Sequence, residues 1–240
     1  WADEKHVIFH GRGGSIPRGG GRVDALVHSS PPEAINGVLR LTEQGEVVNQ
    51  SYGLRPIAMR TLERASHSRS PSPPAVRRGK VPTDSKEHLE IGATIPDASR
   101  DAYRRLVFED PEFYGYFRAA TPIDVIERMQ IGSRPVHRAA GDSLETLRAV
   151  PWVFAWTQSR HMLPGWYGAG AGLKAAIDRH GLDRVRSAVQ SWYFLRNLID
   201  DAETMLARAD LDIAASYNVL APKSLLRFFD DVRRECQLAT

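Results

Sequence analysis

A chain of 240 residues, 42% of them hydrophobic, has enough apolar material for one large core or two small ones. Its 32 basic and 29 acidic residues leave a formal charge of +3, which gives little reason to expect a polyanionic partner. The lone cysteine, Cys236, excludes an internal disulfide and fits a reducing, cytoplasmic setting, and no apolar run approaches the roughly 18 residues of a membrane helix.

The opening Trp-Ala-Asp-Glu-Lys-His has neither an initiator Met nor a signal-peptide pattern, so it reads as a cut within a longer polypeptide. His6–His10, with Val7-Ile8-Phe9 at its centre, predicts a buried strand that stops at Gly11. A glycine-rich loop, GRGGSIPRGGG, covers residues 11–21. A helix is expected from Asp24 to His28, ended by Pro31-Pro32, and a second strand over Gly37–Thr42. Residues 54–64 have helical spacing. Residues 65–82 are rich in Ser, Pro and Arg and read as a surface loop within a single domain that covers residues 1–240. Residues 84–107 are helical in pattern, and Asp124–Met129 is a short helix. Gln130–Ser133 reads as another strand end before Arg134-Pro135, and residues 136–143 as a polar loop. The apolar, β-prone run Trp152–Trp156 is expected to be a strand. Leu173–His180 is a helix stopped at Gly181. From Leu182, apolar residues at 182, 185, 189, 192, 195, 199, 202 and 206 predict one amphipathic helix of about seven turns. A last helix covers roughly residues 222–237. The whole is mainly α with short strands that end in Gly or Arg. Such alternation suits an α/β barrel, whose sites lie at the carboxyl ends of its strands.

The basic residues are mostly arginine, which recognises phosphate and carboxylate through a planar fork. Arg12 and Arg18 stand in the glycine loop, where backbone N–H groups and two guanidinium groups form a plausible anion cradle. The loop is neither a P-loop, since no Lys and Ser or Thr follow its glycines, nor a dinucleotide fingerprint. Read without a ligand, it is a flexible surface loop. Arg134 and Arg148 each sit beside an apolar segment, where a half-buried arginine calls for a partner; the bland alternative is a structural salt bridge.

Several long segments occur in a telling order: FHGRGG with a second Arg-Gly-Gly, SSPPEAINGVLRLTEQGE, LVFEDPEFYGYFRAATP, IGSRP, LRAVPWVFAWTQSR and SWYFLRNLIDDAETMLARADLDIAASY. From about Val7 to about Leu220 the chain resembles the phosphoenolpyruvate carboxylase family. The resemblance implies the carboxy-terminal portion of an (α/β)8 TIM-type barrel with many extra helices, incomplete in this chain. It implies carboxylation of phosphoenolpyruvate by bicarbonate through carboxyphosphate and an enolate, with Mg²⁺ as cofactor. Arg12, Arg134 and Arg148 match arginines that hold phosphate and line the pocket. Arg18 matches the arginine of the mobile glycine loop, and His10 the histidine just before it. Gln44, after the second strand, is a further candidate for the pocket lining. Residues 136–143 match a loop that helps close the site. An aspartate or malate effector would use Arg18 and Arg208, the latter standing where the family has lysine. The family's catalytic histidine, catalytic lysine and acidic metal ligands lie upstream, so the fragment alone is expected to be inactive and prone to aggregate. The full-length parent is expected to be a cytoplasmic homotetramer.

The chain departs from the family at Pro17, where a glycine is usual, at Arg22, which replaces a proline, and at Gly141-Asp142-Ser143, which replaces a Gly-Gly pair. Asp101, Asp124 and the histidines 6, 67, 88, 137, 161 and 180 read as surface, cap or structural residues. Two other readings fit these residues: a non-catalytic relative that keeps phosphate binding, and an RNA-binding arginine–glycine segment.

Overall fold

The computed structural model describes residues 10–11, 13–30, 41–69, 85–129, 135–141 and 143–240. They fall into two compact units, one drawn from Trp1–His88 with Val189–Leu198, the other from Leu89–Ala188 with Ile199–Thr240. The chain is mainly helical, and among the described residues the sheet has two strands.

In the first unit β1 (His10–Gly11) and β2 (Leu41–Thr42) pair in parallel, His10 with Leu41 and Gly11 with Thr42. These are the carboxyl ends of the two strands that the sequence predicts; residues 6–9 and 37–40 lie outside the described residues. Parallel neighbours need a crossover, and α1 (Val23–Ser29) lies in that connection. α2 (Gly45–Tyr52) follows β2 after two residues, and α3 (Arg55–Arg69) packs on both α1 and α2. α3 carries the expected 54–64 helix on to Arg69, so the first residues of the 65–82 segment are helical; those from 70 onward lie outside the described residues.

The second unit contains most of α4 (Lys86–Val107), with α5 (Phe113–Ala120), α6 (Ile123–Glu127) and α7 (Ala149–Gln158). α7 replaces the strand expected over Trp152–Trp156. Pro151 falls in its first turn, where no intrahelical N–H bond is required. Trp152 and Trp156 are one helical turn apart, and their rings meet edge to face at 5.5 Å. Phe117 reaches Trp152 at 4.7 Å and Trp156 at 5.4 Å, and Phe113 meets Phe228 edge to face at 5.3 Å. A strongly apolar run looks like a buried strand until the aromatic partners on α5 show that a helical face fits them.

Between α7 and α8 (Ala169–His180) the chain turns sharply, with positive φ at Arg160 and Met162. His161 between them is fully buried. Its Nδ1 lies 2.9 Å from Ser159 Oγ and its Nε2 3.3 Å from the Tyr116 hydroxyl, which donates to Asn218 Oδ1 at 2.5 Å. Burial pushes the His161 imidazole down to about 4, because a charged ring would lose its hydration.

α8 is held by its backbone. A Cβ on Gly172 would stand 2.1 Å from Ser99 Oγ and 2.9 Å from Ile95 O of α4. The buried Glu235 of α12 (Arg227–Ala239) accepts from Gly168 N at 3.1 Å and Ala171 N at 3.0 Å, a carboxylate placed on the amino end of α8. α11 (Leu211–Asn218) completes this unit against α5.

The single helix expected from Leu182 is two, α9 (Leu182–Ser191) and α10 (Tyr193–Arg208), interrupted at Trp192. Arg196 donates to Val189 O at 3.3 Å and to Gln190 O at 2.7 Å, carbonyls at the end of α9 that would otherwise lack donors. The Trp192 ring stacks on His88 at 5.5 Å, with the two ring planes nearly parallel. Apolar spacing runs through this break unchanged, which is why the sequence hides it.

Candidate anion-binding site

The glycine loop leaves the carboxyl end of β1 and folds back on itself. Gly13 N donates to Arg18 O at 2.8 Å, Arg18 N to Ser15 O at 2.9 Å and Gly20 N to Ser15 O at 2.8 Å. Ile16–Arg18 form one 3₁₀ turn, closed by Gly19 at φ 74°. Pro17 lies in the first part of that turn, where its missing N–H is not needed. The left-handed position falls on Gly19 instead, so this loop accommodates proline at 17. Gly13 cannot be replaced so easily: a Cβ there would lie 2.3 Å from Arg18 Cβ. A loop closed by these bonds is a folded element, unlike the extended tract of an arginine–glycine RNA-binding segment.

Gln44 follows the carboxyl end of β2 and precedes α2, its carbonyl accepting from Val47 N and Val48 N. The two strand ends flank an open cleft of about 340 Å³ whose lining includes Gly13, Gly14, Gly21, Arg22, Gln44 and Arg64. Gln44 is thus a lining residue, while Arg18 is not among those that line this cleft. Arg22 pairs through Nε and Nη2 with Asp24, which raises the arginine's pKa and lowers that of Asp24. Glu43 also lines the cleft; its Oε1 accepts from the Tyr52 hydroxyl at 3.1 Å, and its Oε2 is buried with no partner among the described residues. Sequence reasoning missed Glu43, although its place directly before Gln44 was a usable signal.

In the second unit, residues 136–138 lie antiparallel to 146–148. His137 bridges to Leu147, Arg138 N donates to Thr146 O at 2.8 Å, and Arg148 N donates to Val136 O at 3.0 Å. Arg148 is the residue before α7, and its extended backbone (φ −83°, ψ 155°) turns the chain into the helix. Its Nε is buried and meets no hydrogen-bond partner among the described residues. A buried guanidinium N–H left without an acceptor is costly, and an anion would satisfy it.

The other candidates are placed less completely. His10 is the first residue of β1. Arg12, Arg134, the predicted strand end at 130–133 and Asp142 lie outside the described residues. Arg208 is exposed in the last turn of α10. Arg18 and Gln44 belong to the first unit, Arg148 and Arg208 to the second. Among the described residues no three His, Cys, Asp or Glu side chains converge as a metal site requires, and no helix is long and apolar enough to cross a membrane.

A family model described as phosphoenolpyruvate carboxylase matches residues 3–240. Proteins named phosphoenolpyruvate carboxylase from Xanthomonas euvesicatoria pv. vesicatoria and Xanthomonas oryzae pv. oryzae are each 44% identical to the chain, over 97% of its length. One of the same name from Yersinia pseudotuberculosis is 43% identical over 91% of the chain. In each case the match covers 25% of the relative, so the chain spans about a quarter of the length of the curated relatives it matches.

Proposed function

We propose, because the chain belongs to the phosphoenolpyruvate carboxylase family, that the longer polypeptide carrying it joins bicarbonate to phosphoenolpyruvate and releases oxaloacetate and phosphate. A bicarbonate oxygen attacks the phosphorus, giving carboxyphosphate and the enolate of pyruvate. Carboxyphosphate releases CO₂ and phosphate, and the enolate carbon attacks CO₂. Every species in this sequence except CO₂ is an anion, so fixed cations that face the developing charge supply the largest stabilisation.

The observation that carries this reading for the chain's own residues is the buried, unpartnered Nε of Arg148. Arg148 donates to the phosphoryl group, a role that the family resemblance also gives to Arg12 and Arg134. The folded glycine loop holds Arg18 for the carboxylation half, His10 precedes the loop, and Gln44 lines the pocket. Loop and glutamine both follow the carboxyl ends of parallel strands, as in barrel enzymes. We read β1 and β2 as two strands of an incomplete (α/β)8 barrel completed by the rest of the polypeptide. Magnesium would offset the phosphoryl charge when bound. The described residues do not offer it a donor set, so its ligands are assigned to the part outside this chain. An aspartate or malate effector at Arg18 and Arg208, a homotetramer and a cytoplasmic location complete the proposal.

The test is oxaloacetate formation by the full-length polypeptide with phosphoenolpyruvate, bicarbonate and Mg²⁺, comparing Arg18→Ala and Arg148→Ala with the parent. Loss of a charge-stabilising donor predicts a fall of about 10²–10³-fold for each variant. Parent-like turnover in either variant removes that residue from the chemistry.

A further inference from the structure

Arg148 stands at the base of the paired segments 136–138 and 146–148, and a second set of side chains grips that base from α5 and α6. Arg118 Nη1 donates to Glu127 Oε1 at 2.7 Å and Arg118 Nη2 to Glu127 Oε2 at 3.0 Å, a two-pronged pair. Glu127 Oε1 also lies 3.1 Å from His137 Nε2. The other ring nitrogen of His137 lies 3.0 Å from Thr146 Oγ1 on the opposite segment. Thr146 Oγ1 in turn lies 2.9 Å from Ser143 O and 3.0 Å from Gly141 O. The chain of contacts therefore runs from α5 through α6 and crosses the pair of segments two residues before Arg148.

Three features separate this from ordinary surface pairing. Arg118, Glu127 and His137 are only 28%, 21% and 23% exposed, whereas the Arg100–Asp97 and Lys174–Asp178 pairs are more than half exposed. The Arg118–Glu127 contact is bidentate, which fixes direction as well as distance. Arg118 is the first cause holding the Glu127 carboxyl below its ordinary range, with His137 also contributing, so the carboxylate is kept charged by the groups it orders.

We propose that Arg118, Glu127, His137 and Thr146 form a positioning clamp that fixes where Arg148 enters its binding site; this rests on the phosphate-binding role proposed for Arg148. The clamp touches no substrate. It fixes the segment from which the Arg148 guanidinium projects, and charge-assisted bonds weaken steeply when a donor is displaced. Losing the clamp therefore weakens binding of the phosphorylated substrate more than it slows turnover of what is bound.

The experiment uses the full-length polypeptide with Glu127→Gln, Thr146→Val and Thr146→Ser. Glu127→Gln keeps the shape and removes the charge. Thr146→Val removes the hydroxyl, and Thr146→Ser restores it. KM for phosphoenolpyruvate and kcat are measured together with the rate of tryptic cleavage after Arg138, an exposed residue of the clamped segment. The clamp predicts that Glu127→Gln and Thr146→Val raise KM and the cleavage rate about tenfold, with kcat within a few-fold and Thr146→Ser close to the parent. KM and cleavage within twofold of the parent in both disrupting variants overturn it, and so does equal damage from Thr146→Ser. If Glu127→Gln fails to fold, the threonine pair decides alone. A parent that makes no oxaloacetate defeats the proposed function, while cleavage after Arg138 still shows whether the clamp holds the segment.

Discussion

Acidification should loosen the second unit through one residue, His161. In the fold its imidazole is fully buried among Trp156, Tyr116 and Phe229 and is pushed from 6.5 down to about 4, chiefly by burial. In the unfolded chain it takes up a proton below about 6.5. The neutral form is thus favoured in the fold, and its contribution is fully present above pH 6.5. That contribution is lost as pH falls, until the folded ring itself protonates near 4. The gap corresponds to about 3 kcal/mol in total, with a slope approaching ~1.4 kcal/mol per pH unit inside the window. Amide exchange of the peptide Phe113–Ala120, corrected for intrinsic rate, reports this opening in the full-length polypeptide. Between about pH 7 and about pH 4.5 its protection should fall by a factor of several tens. His161→Gln cannot take the proton, so its protection, although lower at neutral pH, should lose much less over the same range. Equal pH dependence in parent and variant would show that His161 is not the group whose protonation opens this unit.

Other substitutions follow from the same contacts. Glu235→Ala removes the buried acceptor shared by Gly168 N and Ala171 N, and should lower stability by about 2–3 kcal/mol in a denaturant titration. Gly172→Ala drives a methyl group into Ser99 and the Ile95 carbonyl, and should cost about 1–3 kcal/mol. Gly115→Ala is the control: the nearest atom is 3.7 Å from the added Cβ, so it should be neutral or stabilise by up to ~1 kcal/mol. Gly13→Ala should disrupt the turn that carries Arg18 and lower kcat with little change in global melting temperature, because its added Cβ strikes Arg18 within the loop itself.

Local chemistry made the elements around the glycine loop legible. The glycine-rich composition marked a loop, but not that Gly13 would lie against Arg18 or that Gly19 would take the left-handed position. The glycine loop and Gln44 follow short strands as the alternation of apolar runs and loops suggested. Trp152–Trp156 misled because β propensity measures fit to a surface, and the surface here is the aromatic face of α5. The interruption at Trp192 was invisible because the apolar period continues across it while Arg196 supplies the donors that the break requires. Histidines 88, 161 and 180 are structural as expected, bound to Ser191, Ser159 and Thr94. His137, grouped with them, is structural too, joining Glu127 and Thr146. Those residues are nine and ten positions away in the chain, so only the folded loop reveals the connection.

The stoichiometry of bicarbonate-dependent product formation by the full-length polypeptide tests the proposed carboxylation directly. Given phosphoenolpyruvate, bicarbonate and Mg²⁺, it should release one phosphate for each oxaloacetate formed. Label from ¹³C-bicarbonate should appear in the new carboxylate of oxaloacetate. Phosphoenolpyruvate binding without any oxaloacetate, under conditions where the polypeptide is folded, would contradict the account.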